Sequence, residues 1–107
     1  MKSFIVKLTE KREIARETME FVFEKPEIKY EAGQYVLVTL IDPKHTDIKG
    51  NTRAMSIASA PSEDFVSIAM RMSDSAFKRS LKEMEIGAEL EIQGPLGHLT
   101  IPHEEDR

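Results

Sequence analysis

The chain has 107 residues, 40% hydrophobic and 32% charged, enough for one globular core and too apolar for a disordered segment. Its formal net charge of −4 argues against nucleic acid as the main partner, because phosphate-backbone binders carry a basic face. The absence of cysteine excludes disulfides, zinc ribbons and cysteine-held iron–sulfur clusters. No apolar run approaches membrane-spanning length, and Met1 to Lys7 is too short and too soon charged for a signal peptide. A cytoplasmic protein without a membrane partner is the expectation.

Period-two alternation dominates the chain. Phe4, Val6 and Leu8 alternate with Ile5, Lys7 and Thr9 to give a first strand. Thr18 to Glu24 places Met19, Phe21 and Phe23 on one side of a second. Tyr35 to Ile41 is nearly unbroken apolar sequence, which predicts a strand buried on both faces. Arg53 to Pro61 begins as a strand. Val66, Ile68, Met70 and Met72 alternate with Ser67, Ala69 and Arg71, and Leu90 and Ile92 alternate with Glu89, Glu91 and Gln93. Turn signals separate these runs at Glu31-Ala32-Gly33, Asp42-Pro43, Lys49-Gly50-Asn51 and Pro61 to Asp64.

One segment has helical spacing. Phe77, Leu81 and Met84 fall at i, i+4 and i+7, with Ser75 as N-cap and Gly87 as stop. Short strands, a single helix and no βαβ rhythm predict an all-β fold, a six-stranded antiparallel Greek-key barrel with one capping helix. The domain is expected to span residues 1–102, with residues 103–107 as a linker or frayed tail.

Two places carry chemistry. In Arg53-Ala54-Met55-Ser56 an arginine, a polarizable thioether and a hydroxyl lie within four residues of a strand. A flavin nucleotide needs that set: a guanidinium for phosphate, a soft surface for the ring and a hydrogen-bonding group for its polar edge. Strict alternation would send Arg53 and Ser56 to opposite faces, so a bulge or strand end near Met55 is expected to re-aim one of them.

The second place is the helix start. Lys78 and Arg79 occupy a first turn where carboxylates are preferred and each cation costs roughly 0.3–1 kcal/mol. A capping box would put Glu or Gln at position 78. For this helix alone the simpler reading is two solvated cations. Arg71 and Arg53, added to Lys78 in an acidic chain, shift the balance toward a bound polyanion. The segment Gly94-Pro95-Leu96-Gly97, taken by itself, reads as a tight turn. His45, His98 and His103 are too scattered and too poorly accompanied by carboxylates for metal coordination.

Together these motifs resemble the flavin domain of the ferredoxin–NADP reductase superfamily over nearly the whole chain. Gly33-Gln34-Tyr35-Val36 is similar to the family's entry into its third strand, and Arg53-Ala54-Met55-Ser56 to its Arg-x-Tyr-Ser motif. Val66 to Met72 resembles the following strand, Ala76-Phe77-Lys78 the start of the phosphate-binding helix, and Gly94 to Gly97 the Gly-Pro-x-Gly motif. The resemblance implies FAD as cofactor, with Arg53 on its phosphates and Ser56 as the residue hydrogen-bonded near N5. It implies that Ala54 is cofactor-binding, that Met55 stands at the ring, that Ala69, Met70 and Arg71 line the nucleotide tail, and that Ala76, Phe77 and Lys78 receive the pyrophosphate. Met55 stands where the family has an aromatic, and Lys78 where serine is common.

The implied activity is hydride transfer from NAD(P)H to flavin, then electron delivery to a redox partner protein or small acceptor. Family reductases carry a second, nicotinamide-binding half, and no glycine-rich βα turn occurs here, so NAD(P)H is expected only through a domain outside this sequence. Two alternatives stay open. One is FMN in place of FAD, since the Arg53 motif reads only a ribityl phosphate. The other is a cofactor-free β-barrel interaction module, with Arg53 and Arg71 in surface ion pairs.

Overall fold

Alternation becomes six antiparallel strands in the computed structural model, which describes residues 2–98. They are β1 (Lys2–Ala15), β2 (Thr18–Glu24), β3 (Gln34–Leu40), β4 (Thr52–Ser56), β5 (Phe65–Arg71) and β6 (Glu89–His98), with one helix, α1 (Ala76–Glu83), before β6. The strands hydrogen-bond in the order β4-β3-β6-β1-β2-β5. Apolar residues from alternate strand positions, among them Val6, Phe21, Val38, Ile68 and Ile92, form one core with Phe77 and Leu81 of α1. The expected domain boundary at residue 102 and His103 lie outside the described residues.

The ladder does not close into the expected barrel. Its two edge strands, β4 and β5, share no ladder. They meet beyond β4 through a single antiparallel bridge, Ile57 to Ile68, and an Ala58 N–H bond to the Ser67 carbonyl at 2.8 Å. At this seam the core is completed by α1, whose Phe77 and Leu81 are buried in it.

β1 runs farther than its apolar pattern does. Its charged half pairs with β2 up to Ala15↔Thr18, around a turn in which Glu17 has φ +57°. Cross-strand pairing replaces apolar burial there: Arg12 Nε donates to Glu20 Oε1 at 2.8 Å. The Ser67 hydroxyl donates to the other Glu20 oxygen at 2.7 Å, and with Arg12 it holds this carboxyl below the usual carboxylate range.

β3 is buried on one face, not two. Val36, Val38 and Leu40 are buried, whereas Gln34, Tyr35, Leu37 and Thr39 are half-buried and Ile41 lies beyond the strand, 43% exposed. The run is apolar on both sides, but only its inner side meets the core. Gly94 to Gly97 is also not a turn: it continues β6 beside Gln34 and Tyr35, where the register shifts. Gly94 has φ +149°, and a Cβ there would lie 3.1 Å from Val36 Cγ1, so no other residue fits without strain.

Ser75 caps α1 as expected, its hydroxyl accepting from the Lys78 N–H at 3.2 Å. The helix stops earlier than Gly87. Met84 turns extended as C-cap, and Gly87, at φ +96°, lies in the following turn, where its N–H bonds the Leu8 carbonyl at 2.7 Å. Lys11 of β1 reaches under this end and donates its ammonium to the Lys82 and Met84 carbonyls, both at 2.7 Å. A cation there satisfies free carbonyls and opposes the negative helix end. We expect Lys11→Met to lower unfolding free energy by about 1–2 kcal/mol in chemical denaturation, the scale of charge-assisted hydrogen bonds at a helix terminus.

Candidate functional site

Of the residues singled out in the sequence, Arg53, Phe77 and Lys78 meet at the start of α1. β4 pairs with β3 in unbroken register from Thr39↔Thr52 to Tyr35↔Ser56. Arg53 and Met55 are half-buried, with Met55 packed on the core, while Ala54 and Ser56 are exposed on the opposite face. The expected bulge is absent, and alternation continues past the strand into buried Ile57 and exposed Ala58. Continuous pairing with β3 gives the chain no place to re-aim, so Arg53 and Ser56 stay on different faces.

α1 brings its first turn to Arg53. The Phe77 ring, itself buried, lies 5.2 Å from the Arg53 guanidinium carbon. That distance is within cation–π range. Lys78 extends its ammonium to the Arg71 carbonyl at 2.5 Å, tying the helix start to the end of β5. Burial, and then the charge of Arg53, hold the Lys78 ammonium below the usual lysine range.

The other named residues are placed differently. Arg71 contributes its carbonyl to this cluster, but its side chain is 77% exposed and lies 3.8 Å from Glu17. Met70 and Ala76 are buried, Met70 within the core cluster, and Ala69 is exposed on the outer face of β5. Arg53, Phe77 and Lys78 therefore form one cluster, and Ser56, Ala54 and Ala69 share the exterior.

The Arg53 guanidinium is asymmetrically satisfied. Nη1 donates to the carbonyls of Lys49, Gly50 and Thr52 at 3.2, 3.1 and 2.8 Å. Nη2 is buried, 4.0 Å from Asp47 Oδ1, and has no hydrogen-bond partner among the described residues. A buried donor left unpaired costs on the order of 1–3 kcal/mol, and a charged one more. The anionic oxygen nearest Nη2 is that of Asp47, at ion-pair rather than hydrogen-bond distance. The first-turn N–H groups of α1 and the Lys78 ammonium lie in the same neighbourhood, and helix N-termini bind phosphate through such groups. The residues present therefore fit a nucleotide phosphate.

The carbonyl collar from the β3–β4 loop is not legible in the sequence. Asp47 to Gly50 carries only turn composition, and backbone carbonyl acceptors have no residue signature. If the cluster is an oxyanion site, inorganic pyrophosphate at several times its Kd raises wild-type stability by about 1 kcal/mol in thermal unfolding. The Arg53→Ala/Lys78→Met double variant should show no such shift.

A family model described as oxidoreductase FAD-binding domain matches residues 5–101. No curated relative matches the chain by sequence. Among solved structures, the ferredoxin NADP+ reductase of Neisseria gonorrhoeae with bound FAD and NADP superposes with TM-score 0.70 at 20% identity, over 87% of this chain and 37% of that one. The cytochrome P450 reductase of Amycolatopsis gives TM-score 0.70 at 23% identity, over 99% of this chain and 32% of its own. The cytochrome b5 reductase domain of Ulva prolifera nitrate reductase gives 0.65 at 20% identity, over 91% and 42%. At these identities the likeness shows a common fold, and the chain spans less than half the length of each of these proteins.

Proposed function

Because the chain belongs to the oxidoreductase FAD-binding domain family, we propose that it is the flavin-holding half of an NAD(P)H-dependent electron-transfer reductase. The observation that carries this reading is the pair of cations at the start of α1, Arg53 over the Phe77 ring and Lys78 with its lowered proton affinity. In this reading Arg53, Lys78 and the backbone at Ala76 and Phe77 hold the pyrophosphate of FAD, and Arg71 and the exposed face of Ala69 lie along its tail. We take the β4–β5 seam to be the closure of a Greek-key barrel, supported by the Ile57–Ile68 bridge.

Bound FAD supplies a ring that accepts hydride at N5 and passes electrons onward singly or in pairs. The chain's own residues bind and orient. Ser56 ends β4 with its hydroxyl on the exposed face and is the proposed hydrogen-bond partner at N5. Met55, half-buried against the core, is the proposed thioether contact to the ring, a softer surface than an aromatic platform. Hydride transfer depends chiefly on orientation, so the reading requires a nicotinamide-binding domain, in this polypeptide or in another. The Neisseria reductase, with FAD and NADP bound, supports that pairing. The partner receiving electrons is proposed to be a redox protein or a small acceptor.

Arg53→Ala should weaken FAD binding by about 1.5–3 kcal/mol in a fluorescence titration, the scale of a hydrogen bond to a charged group. Unchanged affinity removes Arg53 from the site. Protein that remains colourless and leaves FAD fluorescence untouched removes the flavin reading as a whole.

Lys78 adds a pH dependence with a definite sign. Its ammonium is held below the usual range in the free protein, and a bound phosphate raises it again. Binding therefore places a proton on Lys78 where the pH lies between its free-state and bound-state values. Affinity is flat below that value and falls as the pH climbs toward the bound-state value. We expect this alkaline fall in FAD titrations of the wild type and its loss in Lys78→Met.

A further inference from the structure

The loop joining β3 to β4, residues 41–51, is fastened at one end to α1 and at the other to Arg53. Ser80, buried on α1, exchanges two hydrogen bonds with the His45 main chain. The His45 N–H donates to Ser80 Oγ at 2.8 Å, and the Ser80 hydroxyl donates back to the His45 carbonyl at 3.0 Å. A third contact, His45 Nε2 to Glu83 Oε1 at 3.0 Å, lies on the exposed side. Two residues on, Asp47 closes a turn around its own side chain: Oδ1 accepts from the Lys49 N–H at 2.9 Å, and its carbonyl accepts from the Gly50 N–H at 3.1 Å. That turn aims the Lys49 and Gly50 carbonyls at Arg53 Nη1.

A guanidinium is a planar fork, so fixing Nη1 also fixes the direction of Nη2. The same helix carries Phe77 against the guanidinium and Ser80 against the loop. α1 thus sets both the surface under Arg53 and the frame that turns it. We propose that Ser80 and Asp47 are positioning residues for the Arg53 guanidinium, acting through the 45–50 main chain, and for Asp47 also through its 4.0 Å ion pair with Nη2, to hold the guanidinium against Phe77 at the start of α1. This rests on the flavin-site reading and adds to it two residues that touch no ligand.

Asp47 makes the proposal separable from plain electrostatics. It is a negative charge beside an anion site, so its removal by itself tightens FAD binding. Loss of positioning does the opposite. In FAD fluorescence titrations at low salt, Asp47→Ala is expected to raise Kd about fivefold, one or two neutral hydrogen bonds' worth. Asp47→Asn keeps the side-chain acceptor for the Lys49 N–H and is expected to bind as tightly as wild type or more tightly. Ser80→Ala is expected to raise Kd by a similar factor, with Ser80→Thr, which keeps the hydroxyl, restoring most of it. Both losses should vanish in an Arg53→Ala background.

If Asp47→Ala and Ser80→Ala bind FAD as tightly as wild type while Arg53→Ala is weakened, the positioning role is wrong and the site stands. The positioning role is equally wrong if their effects persist undiminished without Arg53. If Arg53→Ala itself binds normally, the site reading fails and the positioning role fails with it. Should Ser80→Ala not fold, the exposed-loop pair Asp47→Ala and Asp47→Asn is decisive alone, since positioning and charge predict opposite signs for the first.

Discussion

The Arg53 guanidinium lies 5.2 Å over the Phe77 ring, at the one place where a strand edge, a helix start and a long loop meet. That contact puts a cation next to Lys78 and next to the positive end of α1, three like charges in a partly desolvated corner. Such a corner is unfavourable by itself. Burial first, and then the charge of Arg53, lower the proton affinity of Lys78. An anion reverses every one of these signs at once; in the chain alone, the Asp47 carboxylate, 4.0 Å from Arg53 Nη2, and neutral carbonyls offset part of the charge. Four of them do so: Lys49, Gly50 and Thr52 on Arg53, and Arg71 on Lys78.

The rest of the molecule keeps that corner in place. The ladder from β4 through β3, β6, β1 and β2 to β5 brings the two edge strands back near each other, close enough for the Ile57–Ile68 bridge and open enough for α1 to fill the core between them. The helix is held at both ends by other elements. Lys78 ties its start to β5, and Lys11 of β1 ties its finish. A helix of two turns has little stability of its own, so these tertiary contacts and its buried Phe77 and Leu81 decide that it forms. The same contacts decide where its N-terminus points.

A flavin reductase divides its labour between a domain that fixes the isoalloxazine and one that presents the nicotinamide. In this chain the proposed phosphate anchor and the proposed N5 partner lie on opposite faces of β4, because Arg53 and Ser56 are three residues apart on a regular strand. A dinucleotide is long enough to engage both faces at the end of a short edge strand. β4 has just five residues and a free edge, which a central strand does not offer. In the proposed reading, a thioether at position 55 covers less of the ring than an aromatic would.

How far the sequence reaches is clear from particular residues. The alternation of Phe21 and Phe23, of Val66 and Ile68, and of Leu90 and Ile92 specified strands and their inward faces, because side-chain period is a local property. Ser75 specified the helix start for the same reason, and the Arg53 and Ala76–Lys78 motifs, in order, identified the family. Burial on one face of β3, the open seam and the extension of β1 to Ala15 were not local. They depend on which strand lies alongside, and Leu37 and Ile41 look as apolar on the outside as Val36 and Val38 do within. The collar around Arg53 belongs to tertiary structure: backbone carbonyls at Lys49 and Gly50 exist in every sequence, and the Asp47 turn together with the fastening of the loop to Ser80 turns them toward a guanidinium.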